Sequence, residues 1–348
     1  MNLDNVAEYN DVDRSGMLTI MDKTPERLRP PIDAGSTLAH QLDRPRNVVL
    51  GGVGGSGIIG DIVADYLRIV SDVPVTVCRS LNLPAFVAIG TLFVAISYSG
   101  ETPETLSLLD QALGKKATVV SIGSGGKLIE QSKRNKIGYL KVPEGMLPRL
   151  AIPELLASAI LVMSRAGLIG KPDMLLRNCS KMLQSEIGAI GPRNPLVENK
   201  AKQMAQKLLG KLPLLIGNED SASVLRRFKN ELSENSKMPA TCYALTEAYH
   251  DDVEGLKTFV ELASLQPIVL RDEETEGQKR ARERLYGLFN ELGIPGALEF
   301  EGLGENRFER LVTAVTFGDY VSAYLALLRE VDPSELALIP KFREAMRG

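Results

Sequence analysis

Short apolar runs bounded by turn formers recur along the first half of the chain, at residues 48–51, 75–78, 92–96, 117–122 and 139–142. Runs of this length without polar alternation read as strands buried on both faces. Between them lie longer stretches with apolar residues at helical spacing, near 57–69, 103–113 and 126–134. Strands alternating with helices predict a parallel sheet covered on both faces, with ligands gathered at the carboxyl ends of the strands. Thr24-Pro25 reads as the cap and first turn of an early helix. From 148 to 184 the pattern turns helical, and residues 151–166, apolar on nearly every side, are expected to lie buried between two domains. Gly191-Pro192-Arg193-Asn194-Pro195 is rich in turn formers and reads as the linker. The alternation then repeats, with helices near 196–209 and 221–233 and strand-like runs at 212–216, 241–245, 267–270 and 297–301. A long helix at 306–329 and a helical tail at 334–347 close the chain. The expected fold class is α/β, with two doubly wound domains, 1–190 and 191–348, each a parallel sheet flanked by helices.

Composition narrows the class of function. With 348 residues, 44% of them hydrophobic and 24% charged, the chain can bury two cores of ordinary size. The net charge is −3 and Lys and Arg are scattered, so no basic stripe invites nucleic acid. The apolar run 151–163 is broken by Pro153 and Glu154 and is too short to span a bilayer, so no membrane partner is expected. Asp4, Glu8, Asp11 and Asp13 stand where a signal peptide would be basic and then apolar, and a cytoplasmic location is expected. Cys78, Cys179 and Cys242 are far apart and match no disulfide or metal-ligand spacing. His40 and His250 are the only histidines, and His40 reads as a surface residue. Chemistry without a metal or other cofactor is therefore expected.

One stretch organises the rest. At 47–60 a buried strand runs into Gly51-Gly52-Val53-Gly54-Gly55-Ser56-Gly57 and then into a helix. Such a turn offers unobstructed amides and the positive end of a helix, which suits an anion and most often a phosphate. Gly52, Gly54 and Gly57 also satisfy the dinucleotide pattern G-x-G-x-x-G, with Asp72 at a tolerable distance for a ribose acid, so a nicotinamide-dependent enzyme stays open at this point. No Gly-Lys-Ser/Thr follows, which excludes a P-loop. A second strand end reads Ser97-Tyr98-Ser99-Gly100-Glu101-Thr102-Pro103, three Ser or Thr hydroxyls in six residues followed by a helix start. A nicotinamide domain has no need of them, whereas a phosphomonoester can accept a bond from each.

The two turns together, Gly52-Val-Gly-Gly-Ser56 and Ser97-Tyr-Ser-Gly-Glu-Thr102, resemble those of the sugar isomerase (SIS) family, whose phosphosugar sites pair G-x-G-x-S with S-x-S-G-x-T. The resemblance implies phosphate binding by Gly55, Ser56, Ser97, Ser99 and Thr102. In the second half the corresponding turn reads Gly217-Asn-Glu-Asp-Ser221, acidic where a phosphate needs donors, so a second SIS-like domain without phosphate binding is expected.

The segment Glu234-Asn-Ser-Lys237-Met-Pro-Ala240, with His250 sixteen positions after Glu234, resembles the bifunctional phosphoglucose/phosphomannose isomerases of that family over nearly the whole chain. The resemblance implies a proton transfer between C1 and C2 of a sugar phosphate, joining glucose 6-phosphate and mannose 6-phosphate to fructose 6-phosphate. It implies Glu234 as the base, His250 for ring opening, Arg149 beside the enediolate, and Lys341 near the ring oxygen. Ser334 falls where the family usually has Thr, a position that leaves room for either C2 epimer. Asp251-Asp252 replaces the family's Asn-Glu after the histidine. A homodimer is also implied, with the histidine completing the neighbouring subunit's site. The rival reading is a non-catalytic SIS protein that binds a phosphosugar as a signal.

Overall fold

The computed structural model describes residues 1–29, 36–38 and 41–345. His40 and the end of the expected tail lie outside the described residues. The chain forms two compact units. One holds Lys23–Met182 and Asn306–Leu311; the other holds Met1–Asp22, Leu183–Glu305 and Val312–Gly348.

Three short helices open the chain: α1 (Tyr9–Val12), α2 (Met17–Met21) and α3 (Thr24–Arg27). Thr24 is the first helical residue of α3 rather than its cap, since Lys23 occupies that position. The first sheet is built from β1 (Asn47–Gly51), β2 (Val75–Cys78), β3 (Thr91–Ile96), β4 (Thr118–Gly123) and β5 (Gly138–Lys141). All pairings are parallel and the spatial order is β2-β1-β3-β4-β5. Every residue of β3 is buried, as a central strand covered on both faces requires. Val49, Phe93, Ala95 and Leu108 meet in one core cluster, where each large side chain contributes roughly 1.5–3 kcal/mol by leaving water. Helices α4 (Gly54–Val70), α5 (Pro103–Gly114) and α6 (Gly126–Arg134) follow β1, β3 and β4. The chain leaves β1 for β2 on one side and later returns to β3 on the other, so the order reverses between β1 and β3 and opens a crevice at their carboxyl ends.

Helix α7 (Ile152–Arg165) was expected between domains from its all-round apolar surface. Its burial comes from α3, α4 and β4 of its own unit. Helix α8 (Pro172–Ile190) follows, and α9 (Lys200–Leu208) is capped by Asn199, whose side chain accepts from the Lys202 amide. The second sheet contains β6 (Leu212–Gly217), β7 (Thr241–Ala244), β8 (Leu265–Arg271) and β9 (Leu298–Glu301), all parallel in the order β7-β6-β8-β9. It repeats the plan of the first, with its reversal between β6 and β8. Helices α10 (Ala222–Glu234), α11 (Leu245–Ala248), α12 (Leu256–Leu262) and α13 (Glu276–Glu291) connect the strands. The chain ends with α14 (Arg307–Leu328) and α15 (Leu338–Ala345). By length and apolar content α14 could cross a membrane, but nearly all of it is buried inside the protein.

The division between units falls inside α8 and α14, not at Gly191–Pro195. Residues 191–195 form an anchored turn instead: the buried Lys202 ammonium donates to Pro192 O at 2.8 Å and Asn194 O at 2.7 Å. The same ammonium donates to Leu3 O at 2.6 Å, and Tyr320 donates to Asp22 at 2.5 Å. These bonds explain why the first 22 residues fold with the second sheet, where the sequence pattern had grouped them with the first.

Candidate active site

The two glycine and hydroxyl turns meet at the crevice of the first sheet. Gly51 pairs with Ala95, so the turns after β1 and β3 start side by side. A side chain at Gly52 would come within 2.8 Å of Ile96 O, which is why the strand end must be glycine there. Helix α4 starts at Gly54, placing Gly55 and Ser56 in its first turn. Val53 occupies the cap position and has no side-chain acceptor, so the first amides of α4 are left for another partner. Ser56 Oγ accepts from the Tyr98 amide at 3.2 Å, which ties the first turn to the second.

Within the second turn the three hydroxyls differ. Ser97 is 1% exposed; its Oγ accepts from the Gly100 amide at 3.1 Å and lies 2.8 Å from Thr102 Oγ1. That hydroxyl pair has two protons and spends one on its internal bond, leaving one for an outside acceptor. Ser99 is exposed and accepts from the Glu101 amide at 3.3 Å. Gly100 takes φ +69°, and a Cβ there would overlap Gly125 O. Arg149 is buried to 3% exposure in a short turn before α7. Its Cα would stand 3.7 Å from a methyl group on Gly55, so its backbone lies against the start of α4. Gly55, Ser56, Ser97, Ser99, Thr102 and Arg149 are thus gathered in one unit.

The dinucleotide reading fails on the same geometry. A ribose acid belongs at the carboxyl end of β2, but Asp72 precedes that strand, is largely exposed and pairs with Arg44. The carboxyl end of β2 carries Arg79 instead, which donates to Gly57 O at 3.0 Å and pairs with Asp61. At the corresponding crevice of the second sheet, Ser221 donates to the Asp272 carboxylate, one residue past β8. Asp272, from outside the turn, thus occupies the hydroxyl that a phosphate would need, and Glu219 of the turn itself is exposed.

The other candidates lie in the second unit. Glu234 is the last residue of α10 and half-buried. Around it Lys237, at φ +54°, turns its ammonium back to Glu234 O at 2.9 Å, Asn235 O at 3.1 Å and Asp332 O at 2.7 Å. Asn235 donates to Glu231 at 3.0 Å and to Ser322 at 2.9 Å. Beneath these, Arg227 is fully buried against Glu231 at 2.6 Å and Asp319 at 2.8 Å. Burial works against its charge, but Asp319 and Glu231 outweigh it and hold the guanidinium protonated. The Glu-Asn-Ser-Lys segment is thus a fixed platform, not a solvated helix end. Ser334 reaches it through Asp332, whose carboxylate accepts from the Ser334 amide at 2.8 Å, and the Ser334 hydroxyl meets that of Ser15.

Among the described residues no hydrogen bond or ion pair joins His250 or Lys341 to Glu234. His250 is exposed, packs its ring on Tyr249 with centroids 4.6 Å apart, and makes no side-chain hydrogen bond among the described residues. Tyr249 borders a groove of about 390 Å³ floored by Leu245, Ala248 and Leu285 and edged by Arg280 and Arg284. Lys341 stands on α15, which buries none of its residues.

Sequence reading missed Tyr98, Arg27 and Arg79. Tyr98 lies inside the hydroxyl motif as its variable position, and nothing local marks its reach to Pro143 and Met146. Arg27 meets Glu154 across 127 residues of chain, a separation no spacing rule covers.

Residues 197–346 match the family model described as the bacterial phospho-glucose isomerase C-terminal SIS domain. The chain is 31% identical over 324 residues to a bifunctional phosphoglucose/phosphomannose isomerase from Caldicellulosiruptor bescii, covering 90% of this chain and 94% of that one. It is 28% identical over 312 residues to a protein of the same name from Aquifex aeolicus, covering 89% and 93%. Among solved structures, a glucose-6-phosphate isomerase like protein from Thermus thermophilus superposes with a TM-score of 0.65 at 19% identity over 99% of both chains, a likeness of fold. These similarities span both sheets and the segments that bear the hydroxyl turns, Arg149 and Glu234, and from them it follows that the chain belongs to the family of bifunctional phosphoglucose/phosphomannose isomerases.

Proposed function

We propose that this protein interconverts glucose 6-phosphate and mannose 6-phosphate with fructose 6-phosphate by proton transfer through an enediolate. The observation that carries this reading is the joining of two hydroxyl-bearing turns through Ser56 and Tyr98 at the crevice of the first sheet, with Arg149 beside Gly55. A dianionic phosphate suits that crevice: the first-turn amides near Gly55, the Ser56 and Ser99 hydroxyls, and the proton left over from the Ser97–Thr102 pair can all donate to it. Anchoring the phosphate fixes one end of the sugar and leaves its C1 and C2 to be worked on.

In this reading Glu234 takes the proton from C2 and returns it to C1, and Arg149 balances the charge that reaches the carbon skeleton as the enediolate forms. Guanidinium suits that task because it stays charged at any working pH. His250 opens the ring and Lys341 assists at the ring oxygen. Ser334, smaller than Thr, leaves space for either epimer at C2. The exposure of His250 supports sites completed by a second copy of the chain, in a homodimer.

A coupled assay supplies each aldose phosphate in turn, with a chelator present, and follows fructose 6-phosphate. Turnover of both is expected, with solvent hydrogen entering at C1 of the fructose 6-phosphate formed. Turnover of neither would overturn the reading, and complete transfer of the substrate's C2 hydrogen to C1 of the product, with none from solvent, would replace proton transfer with a hydride shift.

A further inference from the structure

Tyr98 is held at every polar atom. Its amide donates to Ser56 Oγ at 3.2 Å, and its carbonyl accepts from the Ser124 amide at 2.8 Å and the Ser124 hydroxyl at 2.7 Å. Its phenol donates to Pro143 O at 3.1 Å and accepts from the Met146 amide at 2.9 Å. The residue is 6% exposed, and its side chain spans the interior of the unit from the hydroxyl turn to the segment preceding Arg149. That segment, 143–148, is otherwise mostly exposed, and a side chain at its Gly145 would meet no atom within 4 Å. Little apolar packing fixes it.

A second tie holds the far side of Arg149. Arg27 on α3 donates to Leu150 O at 2.5 Å, approaches Met146 Sδ at 3.0 Å, and grips Glu154 with two bonds of 2.6 and 2.8 Å. Residues 146 and 150 are therefore both fixed from outside, three positions before Arg149 and one after it. Fork geometry makes such a tie directional as well as strong.

We propose that Tyr98 and Arg27 are positioning residues for the isomerisation, a pair of struts that set the Arg149 guanidinium at a fixed place relative to the phosphate turns. The inference rests on the role given to Arg149 above and deepens it. The phosphate-binding hydroxyls and the charge that meets the enediolate lie on separate loops, and Tyr98 belongs to one while gripping the other. Removing the phenol oxygen leaves the Ser56 and Ser124 bonds intact, because both are made by the Tyr98 backbone. Phosphate anchoring and Arg149 placement can thus be separated by a single atom.

Tyr98→Phe should lower kcat for fructose 6-phosphate roughly 10- to 100-fold, the scale of an ångström-level misplacement of a catalytic group. KM and the inhibition constant of inorganic phosphate, which reports the anchor alone, should stay within about twofold of wild type. In an Arg149→Lys background, adding Tyr98→Phe should cost little more, because residues acting through one another are not additive. An unchanged kcat, phosphate inhibition that weakens in step with kcat, or losses that multiply in the double variant would each overturn the struts. Wild-type turnover in Arg149→Lys alone would instead remove Arg149 from the reaction, and the struts with it. If Tyr98→Phe does not fold, Arg27→Lys, which keeps the charge beside Glu154 but loses the fork and its bond to Leu150 O, should give the same split between kcat and phosphate inhibition; its absence there would overturn the proposal.

Discussion

Ser97 and Ser99 stand two positions apart in one turn, yet their surroundings divide their roles. Ser97 is buried and bonded to Gly100 and Thr102, whereas Ser99 is exposed at the crevice. Ser99→Ala should raise KM for sugar phosphates roughly tenfold to a hundredfold, since a bond to a charged group is worth about 1.5–3 kcal/mol, and should leave the melting temperature unchanged. Steady-state kinetics with a thermal melt checks both parts. Ser97→Ala should also cost stability, about 0.5–1.5 kcal/mol, because the Thr102 hydroxyl loses its partner while the Gly100 amide keeps the Ser97 carbonyl. At Glu234 the question is chemical. Glu234→Gln keeps shape while removing the proposed base, so kcat should fall roughly 100- to 10,000-fold with KM little altered. Exchange of the C2 proton with solvent should fall equally; exchange at the wild-type rate would return Glu234 to a structural role.

The C-terminal turn of α10 shows how an element holds the Glu234 position in place. Its last residues are held from below by a buried charge cluster, Arg227 with Glu231 and Asp319, and from outside by Lys237. Removing one partner of such a cluster leaves charge uncompensated, so Arg227→Ala should lower stability by about 3–5 kcal/mol, read as a shift in the denaturation midpoint. Helix α8 carries a different buried acid. Burial pushes the Glu186 carboxyl up to about 7, Lys200 opposing the shift and Glu301 adding to it. The folded chain therefore holds this proton more tightly than the unfolded one. Its contribution to stability is complete below about pH 4.5 and is lost as pH rises through about 7. The loss corresponds to about 3 kcal/mol. Glu186→Gln, neutral throughout, should raise the denaturation midpoint at pH 8 and match wild type at pH 4; equal midpoints at pH 8 would show the carboxylate to be well solvated.

At the scale of the whole molecule the arrangement to be tested is the sharing of sites between copies. His250 is exposed and Glu234 is half-buried on its own platform. If His250 completes the partner's site, mixing inactive Glu234→Gln and His250→Ala chains should restore about a quarter of full activity, because half of a random dimer population is mixed and each mixed dimer has one intact site. Activity after verified subunit exchange is the measurement, and no recovery would place both residues in one chain's site.

What the sequence determined by itself was local in origin. The strands of both sheets, the helices after them and the two turns of glycines and hydroxyls follow from short apolar runs, glycines and hydroxyls at fixed offsets, because each depends on neighbours within about a dozen residues. The acidic turn at 217–221 was legible for the same reason. Tertiary structure alone decided which residues share a unit, since Lys202 reaches Leu3 across 199 positions and outweighs a turn-rich segment that reads as a linker. It alone rejected Asp72 as a ribose acid, by placing it at the wrong end of β2. It also disclosed Tyr98 and Arg27, whose partners lie 45 to 127 residues away. Side chains tied over such separations leave no periodic trace along the chain, because the register of the contact is set by how strands and helices pack, not by their order.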